Sequence, residues 1–248
     1  MSFNALVLAG SRGGVDPVAA YAGVGDKALA VVGDRTMLAR VVATLRAAGA
    51  ARIAVVVSSP AVREAALALG VEVIDAAPGP SESTARGLAQ LGAPLLVTTA
   101  DHPLLTAAAI AGFLADTPPD ADVAILLAER AVIERDVPGT RRTYLRFADG
   151  AWSGCNLFHF ATPRAAAAIA LWKEVEANRK KPWRIVRRLS PTLLLRYLLG
   201  RLSLKAALAR IGDRIGVSVV AVPAGSGRMA VDVDKPADLD LVRRMLEG

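Results

Sequence analysis

Short apolar runs alternate along the first half of the chain with stretches whose apolar positions recur at helical spacing. The runs at 5–8, 53–57, 71–74, 95–98 and 123–127 predict buried strands, and the stretches at 37–48, 61–69, 82–91 and 107–115 predict helices. Punctuation supports the pattern. Thr36 or Asp34 stands where the first of these helices needs a cap, and Gly70 and Gly92 close the second and third. Repeated strand–helix units with short connections imply an α/β fold, a mostly parallel sheet with helices on both faces.

Past residue 140 the pattern changes. Residues 143–147 and 156–160 read as two strands around an Asp149-Gly150 turn, and 163–175 as a helix. A long helical stretch follows, interrupted near Pro182, Pro191 and Gly200. Residues 217–222 predict a further strand and 229–231 a short one. The last helix has Asp234 or Lys235 at its cap and Pro236 in its first turn. With 248 residues and no internal repeat or low-complexity linker, one domain, 1–248, is expected, with 172–216 as a helical insert within it.

In an open α/β sheet, ligands bind outside the carboxyl ends of the strands. Three polar constellations fall at such ends: the loop "AGSRGGVDPVAAYAGVGDKAL", the stretch "TTADHPL", and "VDVDKP". Glycines let backbone N–H groups approach an anion closely, and Arg12 and Lys27 can neutralise its charge. The loop fits neither GxGxxG nor GxxxxGK[ST], which weakens dinucleotide and Walker-type readings. Asp101 directly follows a buried run. Its carboxylate suits Mg²⁺, or it caps the segment starting at Pro103. Asp232 and Asp234, at i and i+2 of a predicted strand, share a face and offer a second carboxylate, although Asp234 equally suits a helix cap. Taken together, the three constellations favour a metal–nucleotide site.

Charge and composition narrow the partners. The chain carries +7, yet 173–214 alone holds twelve Lys or Arg against three acids, leaving the rest at about −2. Such a basic segment suits phosphates, nucleic acid or an anionic membrane surface. An aromatic content of 4% argues against a single-strand stacking platform, so nucleic acid is not an expected partner. Hydrophobic residues make up 53% of the chain, but no stretch of apolar residues is long enough for a transmembrane helix. The opening Met1-Ser2-Phe3-Asn4 has no signal-peptide pattern, and one cysteine, Cys155, makes no internal disulfide. The expected setting is the cytoplasm. Cys155 reads as a small packing residue. His102 and His159 lack metal-ligand spacing and read as local hydrogen-bonders.

The motifs "LVLAGSRGG…DKAL", "TTADHPLL" and "VDVDKPADL" resemble those of the MobA-like nucleotidyltransferases, whose fold is Rossmann-like, of the GT-A type. The resemblance spans roughly 4–160 and 217–247. It implies Mg²⁺-dependent transfer of a nucleoside monophosphate, CMP or GMP ahead of others, from CTP or GTP to a phosphorylated acceptor, with release of pyrophosphate. It further implies that Leu8, Ala9, Gly10, Ser11, Gly13 and Gly14 wrap the triphosphate, with Arg12 and Lys27 as the catalytic cations. Asp101 would hold Mg²⁺, with Asp234 or, less directly, Asp232 as the second acidic ligand. Ser81, Ser83 and Thr84 of "PSESTARGL" would lie beside the nucleobase, or simply open a Ser-capped helix. Asn156 of "SGCNLF" would face the acceptor, or sit at a strand edge. The chain departs from the family pattern at Ser11, where a second glycine is usual, and in the longer path from Gly10 to Lys27. Two other classes compete: a glycosyltransferase using a nucleotide-sugar donor, and a non-catalytic nucleotide- or membrane-binding module.

Within 172–216, Trp183, Ile185, Val186 and Leu189 mix with Arg184, Arg187 and Arg188, and leucines then alternate with Arg196, Arg201, Lys205 and Arg210. A basic amphipathic segment of this kind can lie in a membrane interface, which would bring the site to a lipid phosphate and place the enzyme peripherally at the inner face of the membrane. It can equally pack on the core or form a homodimer interface.

Overall fold

The computed structural model describes residues 2–10, 13–177 and 191–247. At its centre β1 (Phe3–Ala9) pairs in parallel with β4 (Ala50–Val57) on one side and β6 (Leu95–Thr99) on the other, and β5 (Glu72–Asp75) extends the sheet beyond β4. On the far side β9 (Gly150–Phe160) runs antiparallel between β6 and β7 (Val123–Glu129), and β10 (Val219–Pro223) lies parallel to β7 at the edge. A short β8 (Leu145–Phe147) pairs with the start of β9, while β2 (Val31–Val32) and β3 (Arg35–Thr36) form a separate hairpin. The sheet is thus mostly parallel, with β9 as the antiparallel member at its heart.

Alternation along β1 divides the core. Phe3, Ala5, Val7 and Ala9 pack toward α2 (Met37–Ala47), α3 (Pro60–Ala68) and α5 (Ala107–Asp116). Leu6 and Leu8 face α4 (Pro80–Leu91) and α7 (Ala166–Ala177) on the other side. The caps are those a short polar side chain supplies. Thr36 Oγ1 accepts from Ala39 N, and Thr106 Oγ1 accepts from Ala109 N. A third apolar cluster joins α1 (Pro17–Ala22) and α10 (Pro236–Glu247) to Val231 and Val233. The remaining helices are α6 (Arg130–Asp136), α8 (Pro191–Leu198) and α9 (Leu204–Ile215).

Two expectations are corrected. The second strand of the 143–160 pair begins at Gly150 rather than 156, and its register shifts against β7 between Ile125 and Leu127. That irregularity is a bulge, and Asn156 sits in it with φ 48°, a left-handed conformation that Asn tolerates better than most residues. Residues 229–231 do not form a strand. Gly227–Ala230 is a 3-10 turn, because the Asp136 carboxylate takes Ser226 Oγ at 3.0 Å and Gly227 N at 2.8 Å, and Gly227 packs on the backbone of Ile133 too closely for a Cβ. The alternation survives without the ladder, since Val231 and Val233 are fully buried and Asp232 and Asp234 point away from them. The helix break at Gly200 is present, with φ 65°. Pro182 and the Trp183–Arg188 stretch lie outside the described residues, as do Ser11 and Arg12.

Candidate active site

Backbone hydrogen bonds tie the three polar constellations into one locus. Ala100 N donates to Leu8 O at 3.0 Å, joining the ends of β6 and β1, and Val233 N donates to Asp101 O at 2.9 Å. Gly13 and Gly14, with φ 77° and 91°, turn the exposed loop beyond Leu8, Ala9 and Gly10 in a way that side chains other than glycine resist. Past that loop, Asp26 caps a single 3-10 turn, Lys27–Leu29, its carboxylate accepting from Ala28 N at 3.0 Å. Ala28 and Ala30 are buried, which fixes the turn and aims Lys27 back at the strand ends.

The Lys27 ammonium donates to Asp101 Oδ2 at 2.6 Å, to Asp234 Oδ1 at 3.1 Å and to Val233 O at 3.2 Å. Burial alone would push this ammonium down. The two carboxylates outweigh it and hold Lys27 above its ordinary value, firmly protonated. Burial pushes the Asp101 carboxyl up against the opposing pull of Lys27. The cap role is taken elsewhere: α5 is capped by Thr106, and Asp238 accepts from Asp234 N and Lys235 N at the start of α10. Asp101 and Asp234 are therefore free for the site.

Asp232 is committed differently. It forms an ion pair with Arg142, which also donates to the Asp232 carbonyl at 3.2 Å, and its other oxygen accepts from Asn156 Nδ2 at 2.8 Å. Asn156 and Asp232 thus meet each other, with Arg142 as a third member that the sequence reading missed. Nothing in the irregular stretch "PGTRRTY" distinguishes Arg142 from Arg141, so no sequence signal marked it. Ser81, Ser83 and Thr84 are buried at the start of α4 with their hydroxyls engaged. Ser81 Oγ donates to Glu176 at 2.6 Å, Ser83 Oγ accepts from Ala77 N at 3.0 Å, and Thr84 Oγ1 donates to Pro80 O at 2.8 Å. Glu176, another residue not foreseen, reaches this helix start from α7.

His102 is fully buried, and its hydrogen-bonding contact is with the backbone of Met229. Burial pushes its imidazole down to about 4, so it is neutral. His159 is also buried, edge-on to Phe113. Cys155 is a buried packing residue whose thiol burial pushes up to about 12.

Asp101 and Asp234 supply hard oxygen donors of the kind Mg²⁺ takes, and Asp101 Oδ1 is buried, with the Thr99 side chain close to the carboxylate. Among the described residues no group of three or more His, Cys, Asp or Glu side chains converges on a metal position. Two protein carboxylates with phosphate oxygens and water is the usual way this ion is held.

On a mostly parallel sheet, a glycine-turned loop after the first strand leads to a lysine held between Asp101, just past β6, and Asp234, in an irregular segment. The family model of the MobA-like NTP transferase domain matches residues 5–215, and the chain belongs to that family. The match runs through the segment read as an insert. A hypothetical transferase from Thermus thermophilus is 31% identical, with a TM-score of 0.82 over 96% of this chain and 100% of that one. A nucleotidyl transferase from Methanothermobacter thermautotrophicus is 19% identical, with a TM-score of 0.58 over 100% of this chain and 98% of that one. A 2-C-methyl-D-erythritol 4-phosphate cytidylyltransferase, also from Thermus thermophilus, is 17% identical, with a TM-score of 0.54 and full coverage of both chains. A CMP:2-keto-3-deoxy-manno-octonic acid synthetase complexed with CTP is 16% identical, with a TM-score of 0.55 over 98% of each chain. These last three share the fold. No curated protein matches.

Proposed function

We propose that the enzyme transfers a nucleoside monophosphate from an NTP, CTP or GTP ahead of the others, to a phosphorylated acceptor. The single observation that carries this reading is the Lys27 ammonium held between Asp101 and Asp234 where β1 and β6 end. An acceptor phosphate oxygen attacks the α-phosphorus, the bond from that phosphorus to the bridging oxygen breaks, and pyrophosphate leaves. No protein nucleophile is needed, and the rate comes from positioning and charge neutralisation. Gly10, Gly13 and Gly14 bring backbone N–H groups to the triphosphate, with Ser11 and Arg12 beside them in sequence. Lys27 offsets charge building on the α-phosphate. Asp101 and Asp234 would hold Mg²⁺, which when bound supplies charge neutralisation for the phosphates. Ser81, Ser83 and Thr84 form the helix start beside the nucleobase, and Asn156 lies toward the acceptor.

One surface favours a lipid-linked acceptor. Leu195, Tyr197, Leu198 and Leu199 are exposed together, flanked by exposed Arg196, Arg201 and Lys205, and 191–212 contains no acidic residue. Leucine with cations and no anions suits an anionic bilayer surface. A second copy of the same basic face would repel it. No described helix is long and apolar enough to cross a membrane.

Pyrophosphate release across the four NTPs, with a library of phosphorylated acceptors, tests the reaction. Turnover that survives Asp101→Asn would refute the metal-holding role of Asp101.

A further inference from the structure

Lys27 occupies more than a phosphate-facing position. Its ammonium touches one oxygen of Asp101 and one of Asp234, along with a backbone carbonyl, which is the set of ligands a small cation would seek. The second oxygen of Asp101 is shut off from solvent. A cation arriving from solvent can therefore approach Asp101 only through Oδ2, the oxygen Lys27 already holds. Asp234 is the open side of the arrangement, with 62% of its side chain exposed against 15% for Asp101.

We propose that Lys27 is a built-in counterion that keeps the divalent-cation position closed until nucleotide phosphates draw the ammonium away. This rests on the reading of Asp101 and Asp234 as cation ligands. Without nucleotide, the three side chains leave one net negative charge, and a divalent ion would meet both the ammonium's charge and its bulk. A triphosphate offers the ammonium new anionic partners, which frees both carboxylates for the ion. Cation and nucleotide then load together. The device compensates the Asp101 carboxylate, which sits just past the end of a buried strand where an unpaired charge is costly.

The test is Mn²⁺ binding to nucleotide-free protein, followed by the electron paramagnetic resonance of free Mn²⁺. The unaltered protein is expected to bind weakly, and Lys27→Gln on the order of tenfold tighter or more, because a positive charge about 4 Å from the ion is removed. Lys27→Arg keeps the charge and is expected to behave like the unaltered protein. Lys27→Gln that binds Mn²⁺ no better than the unaltered protein would overturn the proposal. Loss of the gain in Lys27→Gln/Asp101→Asn places the ion on Asp101, whereas a gain that survives there puts the ion elsewhere and overturns it. Should Lys27→Gln fail to fold, thermal unfolding of the unaltered protein still decides. Mn²⁺ alone is expected to leave its midpoint unchanged, and a clear rise without nucleotide refutes the closed position. Failure of the functional reading is separate: it appears as absent pyrophosphate release in the unaltered protein, whatever the Mn²⁺ result.

Discussion

The Arg142–Asp232 pair offers a direct way to separate an anchoring carboxylate from a metal ligand. The side chains are 11% and 22% exposed, so the pair lies between a surface ion pair and a buried one. Exposed pairs contribute roughly 0–1 kcal/mol, while breaking a fully buried pair costs about 3–5 kcal/mol. Asp232→Asn removes the charge but leaves an amide that can still meet Asn156, so about 2 kcal/mol of destabilisation is expected. In a chain of this size that is a fall of roughly 4–8 °C in melting temperature. The assay is a double-mutant cycle with Arg142→Met, read by urea unfolding. A coupling energy of about 2 kcal/mol is expected. The same Asp232→Asn protein is expected to keep its Mn²⁺ affinity in the presence of nucleotide within threefold or so, since Asp101 and Asp234 are untouched. Coupling below about 0.5 kcal/mol, together with a large loss of Mn²⁺ affinity, would refute the anchoring role and restore Asp232 as a ligand.

Three further outcomes are expected. Gly87 lies where α4 crosses β1, and a Cβ there would run into both methyls of Leu6, so Gly87→Ala should destabilise by about 1–3 kcal/mol in urea unfolding. Gly112 in α5 faces open space, and Gly112→Ala should instead gain about 0.5–1 kcal/mol; equal effects at the two sites would contradict the packing argument. The Asp136 carboxyl is held well below the usual carboxylate range by Arg135, Gly227 N and Ser226. A depressed carboxyl stabilises the fold above its unfolded value near 4 and loses that contribution as pH falls further. Asp136→Asn should thus be less stable than the unaltered protein at pH 7 and converge with it toward pH 2, and a difference that stays constant with pH counts against this account. Changing Leu195, Leu198 and Leu199 to Ser should weaken sedimentation with phosphatidylglycerol vesicles on the order of tenfold. If the unaltered protein does not sediment with them, the membrane surface is wrong.

Much of the parallel half was legible because its signals are local. Strands β1, β4, β6 and β7 were continuous apolar runs, and Thr36, Gly70 and Gly92 marked helix ends by their own backbone chemistry. Asp101 and Asp234 were found because each follows a predicted strand, and Lys27 because it is a cation of the glycine-rich loop after the first one. Their direct contact, across 74 and 207 residues of sequence, was not readable. The misread 229–231 segment shows the reason for such failures. Its apolar–acidic alternation spells a strand, but a carboxylate from α6 fixes Ser226 and Gly227 in a turn and the alternation packs on α10 instead. The Asp232–Arg142–Asn156 contact depends on a bulge and an irregular loop, neither of which leaves a periodic trace.

The placement of β9 has a consequence for how the chain must be made. β6 and β7 follow one another in sequence but are not neighbours in the sheet, and 150–160 fills the gap between them. A nascent chain that has reached only residue 149 carries two apolar strands whose inner edges are both unpaired, a template for association with other chains. The gap between β6 and β7 can close only after Phe160 has been synthesised, so the two parallel parts of the sheet stay unjoined until then.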